Sequence, residues 1–147
     1  MRLAGEEATA AAGAALAGLL RPGDVVALSG GLGAGKTTLA RGLIAALGFL
    51  GEVPSPSFPI VIPYAPPELR LSLWHVDLYR IEDPTELAEL GLDEARGDSA
   101  LLIEWAERMG ALLWPDALRL HIDRDGDDAR RLTWDLPEAW EGRWPPR

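Results

Sequence analysis

The sequence predicts a three-layer α/β fold built on a mixed, mainly parallel sheet. Strand-like apolar runs alternate with helix-forming segments, and a glycine-rich loop at residues 30–36 joins one such strand to a helix. Two alternating segments, Leu118–Asp123 and Arg130–Asp135, predict a C-terminal antiparallel hairpin. The length of 147 residues fits one domain, which we place at residues 1–137, followed by a loose tail at 138–147.

The first elements are a helix, a strand and a second helix. A run rich in Ala and Leu predicts a helix over Glu6–Leu20, which ends before Pro22. The apolar run Asp24–Ser29 stands between turn residues and predicts a buried strand. After the glycines, Thr37–Leu47 consists of good helix formers. Strand, loop and helix together form the first half of an α/β unit.

Prolines dominate the middle of the chain. Six of the twelve prolines lie in Glu52–Pro67, which excludes a central strand through most of that segment. We predict a loop, a short strand near Pro59–Tyr64 and a second strand over Leu69–Asp77. Pro84 then opens a helix over Thr85–Leu90, because proline is favoured in the first turn of a helix.

Composition and charge exclude several classes of protein. The chain has no Cys and two His, which excludes a disulfide scaffold, thiolate zinc sites, a cysteine nucleophile and a three-histidine metal site. A formal charge of -9 is the reverse of the basic footprint with which proteins grip nucleic acid. The Ala-rich segment Ala8–Leu20 is too short for a membrane span and lacks the basic flank of a signal peptide. We therefore expect a cytoplasmic protein without membrane association that does not grip nucleic acid by itself, and the charge leaves open that it works on a nucleic acid through a basic partner.

Residues Gly30–Thr37 match the phosphate-binding motif G-x-x-x-x-G-K-[ST] without exception. A chance match in a chain of this length occurs about once in two hundred cases. The glycines let backbone N–H groups turn toward phosphate oxygens, and the following helix presents its positive end to them. Lys36, which is the only lysine, suits the β- and γ-phosphates, and the Thr37 hydroxyl suits Mg²⁺. The sequence therefore predicts a nucleotide site in a fold similar to that of P-loop NTPases.

Two acidic residues are candidates for the metal. Glu104 follows the predicted strand Ala100–Ile103 and Asp77 ends another, so both carboxylates lie at carboxyl ends of strands. We expect one to serve Mg²⁺ and the other to orient or deprotonate the attacking water, since the chain has no Asn or Gln for that task. The residues alone leave this assignment open. His75 would face the same side of its strand as Asp77, and a structural role is the commoner one for such a histidine.

Further candidates are weaker. Ser55, Ser57 and Phe58 lie in the proline-rich loop, which either senses the γ-phosphate or acts as a rigid connector. Trp140 and Trp144 in the tail either anchor an interface or cover the edge of the core. Three arginines are candidates to neutralise charge that develops on the γ-phosphate, with surface salt bridges as the alternative. They are Arg80, Arg130 and Arg131.

Four segments, in order along most of the chain, resemble the bacterial TsaE (YjeE) family of small ATPases. They are Gly30–Gly42 (GGLGAGKTTLARG), Pro54–Val61 (PSPSFPIV), His75–Glu94 (HVDLYRIEDPTELAELGLDE) and Leu101–Trp105 (LLIEW). Many families share the phosphate loop, whereas H-x-D-L-Y-R followed by I-E-W is much more particular to this one. The resemblance implies a mixed α/β phosphate-loop fold that binds ATP and Mg²⁺.

The same resemblance implies a role in tRNA modification. Members of the family are required for threonylcarbamoyladenosine (t6A) formation at position 37 of tRNAs that read codons starting with A. Their ATPase acts on a TsaD–TsaB pair, which binds the tRNA and transfers the threonylcarbamoyl group. TsaD and TsaB are therefore the expected partners, and tRNA is reached only indirectly through them.

Individual roles follow from the resemblance and the motif. Thr37 and Glu104 would be Mg²⁺ ligands, and Asp77 would support hydrolysis, so that Lys36, Asp77 and Glu104 are the expected catalytic residues. The family usually has Thr where this chain has Ser57, which keeps the hydroxyl. The residues expected to contact the nucleotide are Thr9, Leu32, Gly33, Ala34, Gly35, Lys36, Thr37, Thr38, Trp105 and Arg130.

Two other functions can use the same loop. A small-molecule kinase would transfer phosphate to an acceptor instead of water, although 147 residues leave little room for a substrate-binding lid. A nucleotide-gated binding module would use ATP to hold a conformation, and would combine negligible hydrolysis with tight, nucleotide-dependent partner binding. Both are alternatives to the ATPase.

Overall fold

Seven strands form one sheet in the computed structural model, which describes residues 1–31, 33–56 and 60–146. The strands are β1 (Arg2–Ala4), β2 (Val25–Ser29), β3 (Val61–Tyr64), β4 (Leu73–Asp77), β5 (Ala100–Glu104), β6 (Leu118–Asp125) and β7 (Ala129–Asp135). The α-helices are α1 (Glu6–Ala17), α2 (Lys36–Ala46), α3 (Thr85–Ala88) and α4 (Leu92–Ala95), and 3₁₀ helices occupy Ala106–Leu112 and Glu138–Trp140. No helix within these ranges has the length and apolar character needed to cross a membrane.

The sheet is parallel in its centre and antiparallel toward its edges. Its strand order is β1-β7-β6-β2-β5-β4-β3. The pairings of β2 with β6, β2 with β5 and β4 with β5 are parallel, whereas β1–β7, β6–β7 and β3–β4 are antiparallel. This confirms the mixed α/β fold and its C-terminal hairpin, β6–β7. Because β2, β4 and β5 are parallel, their carboxyl ends lie side by side at the same end of the strands. In open α/β folds, ligands bind beyond these carboxyl ends.

Side chains of β2 alternate between two cores, one on each face of the sheet. Val26 and Leu28 pack in the core that contains α1 and α2. Val25 and Ala27 point the other way, into a core with α3, α4 and the 3₁₀ helix that follows β5. Such two-sided burial is typical of parallel strands covered by helices on both faces. The fold therefore has the three layers that the sequence predicts.

Helices α1 and α2 cross at two glycines. A Cβ atom built on Gly13 would lie 2.1 Å from the carbonyl oxygen of Leu39, and one on Gly42 would lie 2.2 Å from that of Ala10. The two backbones therefore touch without side chains between them. This contact fixes the position of α2, whose first residue is Lys36.

Several elements differ from the sequence prediction. β4 begins at Leu73, later than predicted, because the backbone N–H of Arg70 donates to Leu47 O at 2.9 Å and not to a neighbouring strand. The helix predicted to begin after Pro84 is short, and the chain resumes helical structure as α4 after Gly91, which has a left-handed φ of 71°. β1 was not predicted, since its three residues pair only with β7 at the far end of the chain.

The C-terminal tail packs on the domain, so the expectation of a loose tail at 138–147 was wrong over the described part of that segment. Trp140 and Trp144 are buried in the core formed with α1 and α2. Arg143 donates to the carboxylate of Asp24 through Nη1 at 3.2 Å and Nη2 at 2.5 Å, and to Leu19 O at 2.6 Å. Burial of two large aromatic side chains offsets the entropy lost when the tail is ordered. These tryptophans cover the core and do not stand out as interface anchors.

Candidate nucleotide site

The phosphate loop lies between β2 and α2, as predicted. β2 ends at Ser29 and α2 begins at Lys36. Gly35 has a left-handed φ of 112°, and a Cβ atom there would lie 3.1 Å from Ile122 Cδ1. Glycine suits this position because it adopts a left-handed φ without strain and has no side chain that would meet Ile122. Leu32, which was expected to contact the nucleotide, lies outside the described residues.

Lys36 turns its ammonium group back toward the loop. Its Nζ donates to Gly30 O at 2.5 Å and to Gly31 O at 2.8 Å, and it lies 4.1 Å from the ring centroid of Trp105. The residue is only 5% exposed. Burial lowers the pKa of Lys36, and nearby carboxylates oppose that shift. The carboxylates belong to Glu107, Glu104 and Asp77.

The N-terminal end of α2 is electrostatically suited to an anion. No acidic side chain lies in the first turn of this 11-residue helix, so its positive end is not compensated from within the helix. Lys36 and Thr37 occupy that turn and add a cation and a hydroxyl. A phosphate group would meet the backbone N–H groups, the helix dipole and the ammonium at one place.

Two buried carboxylates face this turn from the ends of neighbouring strands. Asp77 ends β4 and Glu104 ends β5, and the two are partners in the parallel register. The Thr37 hydroxyl donates to Glu104 Oε1 at 3.1 Å. The backbone N–H of Tyr79 donates to Asp77 Oδ1 at 2.9 Å. The strands therefore bring together the residues that the sequence analysis named as candidates to hold Mg²⁺ and to act on the attacking water.

The donors at this point fit Mg²⁺. Thr37 and Glu104 offer hard oxygen ligands, which Mg²⁺ prefers, and the ion commonly completes its shell with water and substrate phosphates. Among the described residues, no group of three or more His, Cys, Asp or Glu side chains is placed to hold a metal by itself. The arrangement thus suits a metal shared with a phosphate ligand and does not form a cage made only of protein.

His75 lies against the second oxygen of Glu104. Its Nε2 is 2.6 Å from Glu104 Oε2, and its side chain is fully buried. The other ring nitrogen, Nδ1, is buried and has no hydrogen-bond partner among the described residues. His75 therefore contacts the candidate metal ligand Glu104 directly. The signal in the sequence for this contact was only that His75 stands two residues before Asp77.

The walls of the site come from both ends of the chain. Thr9 on α1 is buried, and its hydroxyl donates to Gly5 O at 3.2 Å. Arg130 on β7 donates through Nη2 to Gly33 O at 3.3 Å. Trp105 follows β5 with a left-handed φ of 58°. This conformation is uncommon for a large side chain, and it carries the indole over Lys36.

One cavity of about 980 Å³ contains these groups, a volume that suits a nucleotide. It is lined by every described residue of the predicted site, together with Arg80 and five residues that were not predicted. The predicted ones are Thr9, Gly33, Ala34, Gly35, Lys36, Thr37, Thr38, Asp77, Glu104, Trp105 and Arg130. The others are Gly5, Glu6, Tyr79, Asp127 and Asp128. Tyr79 belongs to the H-x-D-L-Y-R segment, which could have marked it, whereas no quoted motif contains the other four.

Some candidates lie elsewhere. Arg131 is exposed on β7 and pairs with Asp125 at 3.5 Å, which is the surface salt bridge given as its alternative role. Ser57 and Phe58 lie outside the described residues. Ser55 is described and exposed, but it does not line the cavity.

The chain matches known proteins over most of its length. A model of the family described as "Threonylcarbamoyl adenosine biosynthesis protein TsaE" matches residues 3–132. The tRNA threonylcarbamoyladenosine biosynthesis protein TsaE of Bacillus subtilis is 41% identical over 134 residues, which are 90% of this chain and 82% of that protein. The protein of the same name from Streptomyces coelicolor is 46% identical over 136 residues, 87% of this chain and 90% of that protein.

A solved structure agrees with these sequence matches. The crystal structure of Bacillus subtilis YdiB superposes with a TM-score of 0.76 at 35% identity, and covers 91% of this chain and 82% of that one. Fold and sequence identity therefore lead to the same group of proteins. The chain belongs to the TsaE family of threonylcarbamoyl adenosine biosynthesis proteins.

Proposed function

We propose that this protein is a Mg²⁺-dependent ATP-binding protein and ATPase that supports t6A formation at position 37 of tRNAs by acting on the TsaD–TsaB complex. The observation that carries the proposal is one cavity in which Lys36 and Thr37 meet Asp77 and Glu104. The names of the relatives support the tRNA part, since they are tRNA threonylcarbamoyladenosine biosynthesis proteins.

In this proposal the phosphate loop binds the ATP phosphates. The ammonium of Lys36 leaves Gly30 O and Gly31 O and donates to the phosphates, which are stronger acceptors because they are charged. The N-terminal end of α2 adds backbone N–H groups. Thr9 and Arg130, which reach the cavity from α1 and β7, contact the rest of the nucleotide.

Thr37 and Glu104 would hold Mg²⁺, which neutralises charge on the phosphate oxygens when bound. Asp77 has a different task. Its carboxylate lies at the edge of the same cavity and is oriented by the backbone N–H of Tyr79. An acceptor in this position can orient a water molecule and take its proton as the water attacks the γ-phosphate. Arg80 and Arg130 line the cavity and would stabilise the charge that develops.

The charge of the chain supports action through partners. With a formal charge of -9, this protein repels the tRNA backbone and does not hold it unaided. A complex that itself binds tRNA resolves this difficulty, because the acidic ATPase then needs to contact only protein. TsaD and TsaB are the proposed partners.

The test is a pair of measurements on purified protein: ATP binding by calorimetry with and without Mg²⁺, and steady-state ATP hydrolysis with and without TsaD–TsaB. Lys36→Ala and Arg131→Ala form a matched pair, because each removes one positive charge and only Lys36 lies in the cavity. We expect Lys36→Ala to weaken ATP binding by at least about tenfold, since it removes charge-assisted hydrogen bonds. Arg131→Ala should bind ATP as the wild type does.

Stimulated hydrolysis in the presence of TsaD–TsaB would support the whole proposal. Phosphate transfer to a small acceptor, with no effect of TsaD–TsaB, would assign the protein to the kinases instead. Tight, ATP-dependent binding of the complex without turnover would assign it to the nucleotide-gated modules. Equal ATP affinity of the Lys36→Ala variant and the wild type would contradict the nucleotide site itself.

A further inference from the structure

The carboxylate of Glu104 is shared between two side chains. Oε1 accepts from the Thr37 hydroxyl at 3.1 Å, and Oε2 lies 2.6 Å from His75 Nε2. Each oxygen therefore has a different partner, and the two partners come from different elements, α2 and β4. A carboxylate held at both oxygens has little freedom to rotate.

The sheet explains why His75 reaches Glu104. β4 and β5 are parallel, with His75 paired to Leu102 and Asp77 paired to Glu104. His75 and Asp77 are two residues apart on one strand, as are Leu102 and Glu104 on the other, so all four side chains lie on the same face of the sheet. His75 thus lies diagonally across from Glu104, two residues further back from the carboxyl end of the strand.

The protonation pattern of the imidazole follows from its contacts. An ionised carboxylate has only acceptor atoms, and on that ground we assign the proton of this contact to Nε2 of His75. Nδ1 is buried and has no hydrogen-bond partner within residues 1–31, 33–56 and 60–146. Glu104 is therefore the polar group that His75 contacts, and a purely space-filling role would not need an imidazole at this place.

We propose that His75 is a positioning residue of the Mg²⁺ site: its Nε2–H holds Oε2 of Glu104, so that Oε1 stays at the Thr37 hydroxyl, where the metal is shared. This inference rests on the proposed Mg²⁺-dependent ATP binding. Partners of this kind, which fix a metal ligand without touching the metal, commonly change metal affinity about 10–100-fold when they are removed.

His75→Leu and His75→Gln test the contact. Leucine fills the space without a donor, whereas the amide nitrogen of glutamine reaches about as far as Nε2 of histidine and donates in its place. We expect His75→Leu to raise the Mg²⁺ concentration needed for half-maximal enhancement of ATP binding about 10–100-fold. ATP binding in excess EDTA should stay at the wild-type level. His75→Gln should recover most of the Mg²⁺ response.

His121→Gln is the matched control. His121 is the only other histidine, and it lies on the surface between Ser29 and Asp123, outside the cavity. The substitution should leave the Mg²⁺ response unchanged. It also leaves a single imidazole in the chain, which makes the nitrogen spectrum of His75 unambiguous.

A second readout needs no metal or nucleotide. In the His121→Gln protein, ¹⁵N NMR of the imidazole should show the proton on Nε2, and Glu104→Gln should shift the Nε2 signal. If His75→Leu does not fold, this spectrum and the His75→Gln variant still decide the question. A folded His75→Leu protein with the wild-type Mg²⁺ response, or a proton bound only to Nδ1, would overturn the inference.

The failure of the proposed function would look different. In that case ATP binding by the wild type itself would not respond to Mg²⁺, while the nitrogen spectrum would still report the contact between His75 and Glu104. A wild type that responds to Mg²⁺ together with an equally responsive His75→Leu variant would reject only the role of His75.

Discussion

Asp77 and Glu104 are partners in the register of two parallel strands, yet they have different hydrogen-bond partners. Glu104 is bound by the side chains of Thr37 and His75, whereas Asp77 accepts from the backbone N–H of Tyr79. The sequence alone left open which of the two serves the metal. The contact with the Thr37 hydroxyl supports the proposal that Glu104 holds the metal, and the proposed role of Asp77 at the attacking water is tested separately.

Replacing Asp77 by Asn should separate binding from hydrolysis. The amide keeps the size of the side chain but is a poor proton acceptor, so we expect ATP affinity to change little and hydrolysis to fall by about 10²–10⁴. Single-turnover hydrolysis at saturating ATP measures this directly. Asp123→Asn, on an exposed side chain of β6 that pairs with His121, is the control. Full turnover by the Asp77→Asn variant would return Asp77 to a structural role.

As the pH is raised, ATP binding should begin to weaken at a lower pH than it would if Lys36 had the pKa of an ordinary lysine. Burial lowers the pKa of Lys36 from the ordinary value of 10.5, and the phosphates need its charged form. At pH values between the pKa of Lys36 in the folded protein and its higher pKa in the unfolded chain, the unfolded chain binds more protons. Over that range, Lys36 therefore makes the ATP-free protein more stable as the pH rises.

Carbon NMR of labelled lysine gives the titration directly, since Lys36 is the only lysine in the chain. Calorimetry over the same pH range gives the ATP affinity. A Lys36 signal that titrates at or above 10.5 in the ATP-free protein would contradict the expectation.

The glycine contact between α1 and α2 should be costly to disturb. A methyl group at Gly42 would overlap the backbone of Ala10, which cannot rotate away, so Gly42→Ala should lower the free energy of unfolding by about 2 kcal/mol or more. Gly18→Ala is the matched control, because Gly18 has a helical φ of -67° and its nearest neighbour for a Cβ is 3.6 Å away. Urea unfolding of both variants checks the difference. Equal stability would mean that the helices separate easily.

The tail should contribute strongly to stability. Removing a fully buried tryptophan costs about 3–5 kcal/mol, so we expect a loss of that size for Trp140→Ala. Trp114→Ala is the comparison, because that ring is only partly buried and bonds Asp93 at the surface. Its loss should be clearly smaller in the same urea experiment. Similar losses would show that Trp140 is not part of the cooperative core.

The elements that the sequence predicted well have local signals. The loop at residues 30–36 follows a buried apolar strand and precedes good helix formers, so motif and periodicity agree. The hairpin of β6 and β7 alternates polar and apolar residues around a turn. Glu104 and Asp77 could be found because each ends an apolar run. The sequence was enough to predict those elements whose structure depends on residues close to each other along the chain.

The features that the sequence missed depend on distant contacts. Leu69 and Leu71 are buried, which explains the prediction of a longer β4, but their burial comes from packing and not from strand pairing. β1 exists because residues 2–4 meet residues 129–131. The contact of His75 with Glu104 joins two strands. No pattern within a single segment carries such information.

The order of strands in the sheet also has a consequence for biosynthesis. The ribosome translates Lys36, Asp77 and Glu104 before it reaches β6. In the folded sheet, however, β6 lies directly beside β2, the strand that leads into the phosphate loop. Gly30 packs so closely on β6 that a Cβ atom there would lie 2.2 Å from Ile122 O. A nascent chain that ends at Glu104 therefore lacks β6, the strand on which its phosphate loop packs. We expect nucleotide binding to begin only when the hairpin has left the ribosome, so that an unfinished chain consumes no ATP.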